Sequence, residues 1–465
     1  MSATGLRLAQ EKMSAAGVSP EAIDVFTHYY AQLEAGVSGY IAEDSIDPVT
    51  DPDLLSDVEV SPEDAQTALS STVMIKLNGG LGTSMGMDKA KSLLPVLDGK
   101  SFLDLIVDQV MSARREYGVR LPLIFMNSFR TREDTLAALT PYPDLATDGL
   151  ELDFLQNQEP KLLVDDLTPV EWPADPTLEW CPPGHGDLYT ALESSGLLKR
   201  LLARGYRYAS VSNSDNLGAA PDATIAGWFA ASGAPYAAEI CRRTAADRKG
   251  GHLAIRKADR QLILRDTAQT AQSEMHYFTD EHRHPFFHTN NLWFDLEVLD
   301  RTLAERNSVL GLPLIKNVKN VDPADSSSPE VVQIETAMGA AVEVFEGATA
   351  IGVGRDRFLP VKTTSDLLLL RSDVYQVGGG GRPTLVADPA PLIELDPAYY
   401  KKIAGFEQRF PSGPPSLKDA QSLTVEGDWT FEAGVRVVGA GRLKDEGGPK
   451  TVAAGTELAD VSDSY

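Results

Sequence analysis

Leu77-Asn78-Gly79-Gly80-Leu81-Gly82-Thr83-Ser84-Met85-Gly86, closed by Lys91-Ser92, sits between an apolar run at 73–77 and a helix-forming pattern at 102–117. The apolar run predicts a buried strand, and the glycines that follow it let successive backbone N–H groups face one anion without Cβ clash. A strand that opens into glycines and then a lysine therefore points to a phosphate site. Neither familiar phosphate fingerprint fits. G-x-G-x-x-G starting at Gly80 meets Met85 where its last glycine belongs, and no Gly-Lys-Ser/Thr is present for a P-loop.

Outward from this loop, apolar runs alternate with helical patterns. Strand candidates at 121–126, 206–212, 236–240 and 286–294 are separated by helix-length segments such as 188–202 and 224–231. That alternation predicts an α/β domain with a largely parallel sheet, whose ligands sit at the carboxyl ends of the strands. Before it, Ser19-Pro20-Glu21 and Ser61-Pro62-Glu63 both read as helix starts, so residues 1–70 form an N-terminal helical segment, peripheral to the core, with a turn-rich connector at 39–53. The glycines at 378–381 mark a linker, 396–410 reads as one helix, and 422–454 alternates apolar residues with glycine as in short strands with tight corners. The domains expected are therefore 1–70, 71–377 (catalytic) and 378–465.

With 465 residues and a formal net charge of −25, the chain is too long for one core and too acidic for nucleic acid or an anionic membrane as main partner. Any polyanionic substrate has to be met by a few clustered lysines and backbone amides. Two cysteines without C-x-x-C spacing argue against a disulfide framework or structural zinc, and no long apolar run suggests a membrane span, so a cytoplasmic protein is expected.

Three further stretches lie where an α/β sheet holds ligands. Pro182-Pro183-Gly184-His185-Gly186-Asp187 precedes a helix and offers close approach to a flat ligand, with a capped loop as the plain structural alternative. Asn213-Ser214-Asp215-Asn216 ends a strand, where one carboxylate suffices for Mg²⁺ completed by phosphate oxygens, and where an Asx turn is equally common. Lys362, in FLPVKTTSD (358–366), stands just before a helix start, where it would offset the acidic background for the same phosphates as Lys91. His282, His284 and His288 lack the spacing of a metal site, and no G-x-S-x-G elbow supports a covalent nucleophile.

LNGGLGTSMG (77–86) with Lys91-Ser92, MNSF (126–129), PPGHGD (182–187), NSDNLGA (213–219), TNNLW (289–293), QIETAMGAA (333–341) and FLPVKTTSDLLLL (358–370) occur in this order. Together with GYIAEDSIDP (39–48) and SLTVEGDWTFEAG (422–434), they resemble the eukaryotic-type UTP–glucose-1-phosphate uridylyltransferases, also called UDP-glucose pyrophosphorylases, across nearly the whole chain. The resemblance implies a GT-A-like (Rossmann-like) nucleotidyltransferase core, an N-terminal helical segment and a C-terminal left-handed β-helix. It implies Mg²⁺-dependent, reversible conversion of UTP and glucose 1-phosphate into UDP-glucose and pyrophosphate. By the same resemblance, Leu77, Asn78, Gly79 and Gly80 line the nucleotide, Gln156 and Gly184 meet the uracil, and Lys91 and Lys362 serve the phosphates as catalytic lysines. Asp215 is the implied metal ligand, with Asn216 next to it as a further substrate-binding residue, and His185, Asn213 and Asn290 or Asn291 are the implied sugar or ribose contacts. Lys89, in a Met87–Ala90 stretch that departs from the family's usual Cys-Lys-Gly-Pro, stands beside Lys91 as a second candidate. Lys249-Gly250-Gly251 and TNNLW favour glucose. Other readings are a pyrophosphorylase for a different sugar 1-phosphate and a catalytically silent nucleotide-binding assembly protein. Homo-oligomerisation through the C-terminal domain is left open.

Overall fold

The computed structural model describes residues 2–459 except Ser38, Ala245, Ala246, Arg248, Lys249 and Asp388. Thr72–Asn78 is the strand that the apolar run predicts, and alternation along it divides the core. Val73 and Ile75 face a cluster with Leu188, Leu192, Leu197 and Leu198, while Met74 faces a second cluster with Phe102, Leu105 and Ile106. Helices thus cover both faces of the sheet. Phe102–Tyr117 begins where Ser101 and Asp104 form a capping box and ends at Gly118 in the left-handed region, which satisfies both sets of orphan backbone groups.

The main sheet has eight strands in the spatial order Asp53–Leu54, Thr349–Val353, Tyr236–Arg242, Phe286–Asp295, Tyr208–Asn213, Thr72–Asn78, Leu123–Asn127 and Asp153–Leu155. It is mixed rather than parallel throughout, because Phe286–Asp295 runs antiparallel to both neighbours. The cause is topological. After Tyr236–Arg242 the chain makes an excursion through the hairpin of His252–Arg256 and Leu262–Arg265, then re-enters beside Arg242 without a crossover helix. The register slips between Glu239 and Ile240, opposite Thr289 and Asn290, and Asn290 takes a left-handed φ of 66°.

Other expectations need correction. Residues 188–202 form two helices, Leu188–Ser194 and Leu197–Ala203, because Gly196 turns left-handed between them. Residues 396–410 likewise split into Pro397–Tyr400 and Ile403–Arg409, with Lys402 extended. The glycines at 378–381 are no spacer. A Cβ on Gly381 would lie 2.8 Å from Asp108 Cβ, so this segment packs directly on Phe102–Tyr117.

The N-terminal helices start as expected, with Ser19 and Ser61 accepting from Ala22 and Asp64. They are less peripheral than expected, since Phe26, Tyr29, Tyr30 and Leu33 are buried against Leu162, Val332 and Ile334. The turn-rich connector supplies strands of its own. Ile46–Pro48 pairs with His252–Arg256, and Asp53–Leu54 edges the main sheet. Toward the C-terminus, Leu392–Leu395, Ser416–Val425, Arg436–Leu443 and Glu457–Ala459 form one parallel ladder. Trp429–Phe431 and Lys450–Val452, taken from the intervening turns, form a second. Among the described residues no helix is long and apolar enough to cross a membrane.

Candidate active site

Of the expected residues, Leu77, Asn78 and Asn213 stand at the carboxyl ends of adjacent strands, Thr72–Asn78 and Tyr208–Asn213, with Leu123–Asn127 on the far side of the first. Asn213 lies beside Leu77 in register, and Asn78 beside Asn127. The glycine loop leaves Asn78, folds back through a bridge between Leu81 and Ala90, and delivers Lys91, whose N–H donates to the Gly80 carbonyl. Ala90 and Met85 are buried, and Met87 packs so closely on Gly82 that a Cβ there would meet its Sδ at 2.7 Å.

Lys91 is the junction of the site. Its ammonium donates to Asp215 Oδ2 at 2.8 Å and to the Val361 carbonyl. Val361 N–H in turn donates to the Asp215 carbonyl at 3.3 Å, so the loop that carries Lys362 is held against the strand end that carries Asp215. The Lys91 and Asp215 side chains keep 18% and 22% exposure, so both remain open to solvent. Lys362 is exposed, with its ammonium over the Phe358 ring at 5.9 Å, and it makes no ion pair among the described residues. Its backbone N–H and that of Thr363 donate to Asp366, the capping box of the helix Thr364–Arg371. Lys89 is exposed and makes no ion pair among the described residues, whereas Lys91 is the loop lysine that the fold brings to the carboxylate.

A second group forms around Gly79, Gln156 and Gly184. Gln156 Nε2 donates to the Gly184 carbonyl at 2.6 Å, and its Oε1 lies 2.8 Å from where a Gly79 Cβ would stand. Gly184 has a φ of 78°, and a Cβ on it would fall 2.6 Å from the Thr336 carbonyl; only glycine fits. Asp187 fixes the same loop by accepting from Asn157 N–H at 2.6 Å and from its side chain at 2.8 Å. Burial pushes the Asp187 carboxyl up to about 7, against the pull of those hydrogen bonds. His185 is exposed, and its Nδ1 accepts from Met338 N–H at 2.9 Å, which leaves Nε2 as the N–H donor.

The asparagines divide. Asn213 and Asn290 stand half-buried, 3.5 Å apart through their side chains, at the bulge. Asn78, Asn216 and Asn291, expected as ligand contacts, are instead buried with their side-chain amides committed to the protein. Asn78 binds Asn127, Thr135 and Ser214. Asn216 donates to Asn291 and to the Arg357 carbonyl, and accepts from Gly218 and Leu359. Asn291 binds Glu239 and the Arg357 carbonyl. Lys249 lies outside the described residues. Gly250 and Gly251 accept from Arg243 and from His288 N–H.

Sequence reading overlooked three buried ionisable groups beneath the site, Lys76, Glu239 and Arg357. For two of them the signal was available: Lys76 and Glu239 are lone charges inside apolar strands, in VMIKL and YAAEI, whereas Arg357 is one of three charges in GRDRFL and does not stand out. Lys76 donates at 2.7 Å to Ser212 Oγ and to the Ala219 carbonyl, and burial together with the Arg357 cation pushes it down to about 7. Burial alone would raise the Glu239 carboxyl; the Arg357 guanidinium and the Trp293 and Asn291 donors bring it below its ordinary value.

As a cation site the cleft offers one partly exposed carboxylate. Among the described residues no group of three His, Cys, Asp or Glu side chains is placed to hold a metal by itself. A single partly exposed hard oxygen donor fits Mg²⁺, which takes one or two protein carboxylates and completes its shell with water and ligand oxygens.

The family model for UTP–glucose-1-phosphate uridylyltransferase matches residues 23–437. A UTP–glucose-1-phosphate uridylyltransferase from Solanum tuberosum is 39% identical over 406 residues, covering 86% of this chain and 82% of the relative. Among solved structures, a mutant of UDP-glucose pyrophosphorylase from Leishmania major in complex with UDP-glucose superposes with a TM-score of 0.92 at 41% identity, covering 98% of both chains. A UDP-glucose phosphorylase from Trypanosoma brucei gives 0.91 at 42% identity with the same coverage.

Proposed function

We infer the function from the premise that these likenesses establish: the chain belongs to the UTP–glucose-1-phosphate uridylyltransferase family. It is a nucleotidyltransferase, and its reaction is UTP plus glucose 1-phosphate giving UDP-glucose plus pyrophosphate. The observation that carries the site assignment is the junction of Lys91 with Asp215 and the Lys362 loop at the strand ends.

The mechanism we propose needs no protein nucleophile. An oxygen of the sugar phosphate attacks the α-phosphorus of UTP in line, the bond to the bridging oxygen breaks, and pyrophosphate leaves with the electron pair. The protein's work is then positioning and charge neutralisation. Gln156 and Gly184 hold the uracil in a slot that glycine at 79 and 184 keeps open. Lys91 turns from Asp215 toward the triphosphate as the nucleotide enters, and it steadies the charge that builds on the leaving phosphates. Lys362, free of any ion pair among the described residues, meets the sugar phosphate and the α-phosphate. Asn213, Asn290 and His185 Nε2 are the polar groups offered to hydroxyls. Asp215 would hold Mg²⁺, which would supply further neutralisation of the triphosphate when bound.

We assign the seven strands of the main sheet from Thr72 to Val353, with their helices, to a GT-A-like core spanning 71–377, edged by Asp53–Leu54 from the N-terminal segment. The coiling parallel ladders belong to a left-handed β-helix within 378–465, and 1–70 is the N-terminal segment. The alternation of ladder strands with intervening short parallel strands supports the β-helix. A cytoplasmic setting is supported by two free, buried cysteines. Turnover of UTP with a panel of sugar 1-phosphates tests the sugar: glucose 1-phosphate is expected to be preferred, and a preference above about tenfold for another sugar, the span of one or two lost pocket contacts, overturns the assignment.

A further inference from the structure

Beneath the cleft, Glu239 is fully buried in the middle of its strand, and four donors converge on its two oxygens. Arg357 Nη2 and Nε lie at 2.6 and 3.0 Å, Trp293 Nε1 at 3.0 Å and Asn291 Nδ2 at 3.1 Å. The carbonyl of the same residue accepts from Thr289 Oγ1 at 2.7 Å. Glu239 therefore grips both flanks of the bulge that carries Asn290.

Arg357 carries the grip to the other side of the site. Its Nη1 donates to the Ala220 carbonyl at 2.7 Å, closing the turn that follows Asp215. Its own carbonyl accepts from Asn216 and Asn291, at 3.2 and 3.3 Å. Asn216, next to Asp215, accepts from Leu359 N–H at 2.8 Å and pairs with Pro360 across an antiparallel bridge. Through these bonds one buried ion pair reaches three separate parts of the site: the Asp215 turn, the Lys362 loop and the Asn290 bulge.

We propose that Glu239 and Arg357 are positioning residues that set the separation of Asp215, Lys362 and Asn290 for the transfer step. The proposal rests on the uridylyltransferase reading of the cleft. Neither residue is placed to touch substrate, since Arg357 is 4% exposed and Glu239 0%. A hydrophobic pair would fill the space. A buried ion pair is retained with little net gain in stability over such a replacement, whereas misplacement of reacting groups by about 1 Å costs up to about 10²-fold in rate.

The test compares steady-state kinetics and thermal unfolding of wild type, Arg357→Lys and the double variant Glu239→Leu/Arg357→Met. Arg357→Lys keeps the charge but loses the fork that spans Glu239 and Ala220. The double variant removes both charges, so neither is stranded. The expected result is a protein that the melt shows fully folded at the assay temperature and whose kcat nonetheless falls roughly 10- to 100-fold, with KM for UTP and glucose 1-phosphate within about threefold; with the active fraction unchanged, lost stability does not produce that fall. Wild-type kcat in either folded variant overturns the proposal and leaves the pair a purely structural one. If the double variant fails to fold, Arg357→Lys decides alone. Absence of turnover in wild type would instead refute the reading of the cleft, so the two failures are distinguishable.

Discussion

Replacing Lys91 by alanine separates catalysis from stability. The Lys91–Asp215 pair is 2.8 Å long and both side chains keep about a fifth of their surface exposed. A pair in that environment contributes about 0–1 kcal/mol, and Asp215, once unpaired, can turn to water. The loss of a donor to the Val361 carbonyl adds on the order of 1 kcal/mol. For a chain of 465 residues this predicts a melting shift of no more than about 4 °C. Catalysis responds on a different scale. A fixed cation directed at charge that develops during the transfer is worth about 10²–10³ in kcat, or about 2.7–4 kcal/mol of barrier. Lys91→Ala should therefore stay folded while kcat for pyrophosphate release falls a hundredfold or more. Lys89→Ala, which removes an exposed lysine that makes no ion pair among the described residues, should stay within about threefold of wild type, the scale of a solvated charge acting through water. Lys91→Ala at near-normal turnover, or the loss appearing in Lys89→Ala instead, refutes the assignment.

Gly184→Ala should be more damaging than an exposed glycine change. The new methyl meets the Thr336 carbonyl at 2.6 Å at a φ of 78°, and uridine nucleotide affinity, measured by calorimetry, should fall at least tenfold as the Gln156 slot distorts. Asp215→Asn should lower kcat about 10²-fold or more and shift the Mg²⁺ titration of activity to higher concentration; an unchanged titration removes Asp215 as a ligand. Lys76 gives a pH signature. Its ammonium is pushed down to about 7 from an ordinary 10.5. Between those values the folded chain has released a proton that the unfolded chain still holds, so stability rises with pH across that window, by up to roughly 1.4 kcal/mol per unit. Below about 7 both states are charged and the burial cost is complete. Denaturant titrations at pH 7 and 9.5 should show Lys76→Met more stable relative to wild type at pH 7, with the difference shrinking at 9.5. A constant difference contradicts the burial argument.

Local signals were legible where chemistry is local. Ser19 and Ser61 fix helix starts by bonds within one turn, and the glycine loop announces itself by the run of glycines directly after an apolar strand. Long-range consequences were not legible. The antiparallel entry of Phe286–Asp295 depends on how the excursion after Arg242 folds, which periodicity does not encode. Nor does a motif show which neighbour an asparagine will meet. Asn290 and Asn291 are adjacent in sequence and reach different partners, because the bulge turns one toward Asn213 and the other onto Glu239. Lys91 meeting Asp215 required two loops separated by 124 residues to be closed on each other.

The most direct measurement is pyrophosphate released by the purified chain from UTP and glucose 1-phosphate with Mg²⁺, alongside UDP-glucose formed in the same reaction. Equimolar release of the two, dependent on both substrates, is the predicted result. UTP or UDP-glucose binding without any pyrophosphate release would contradict it.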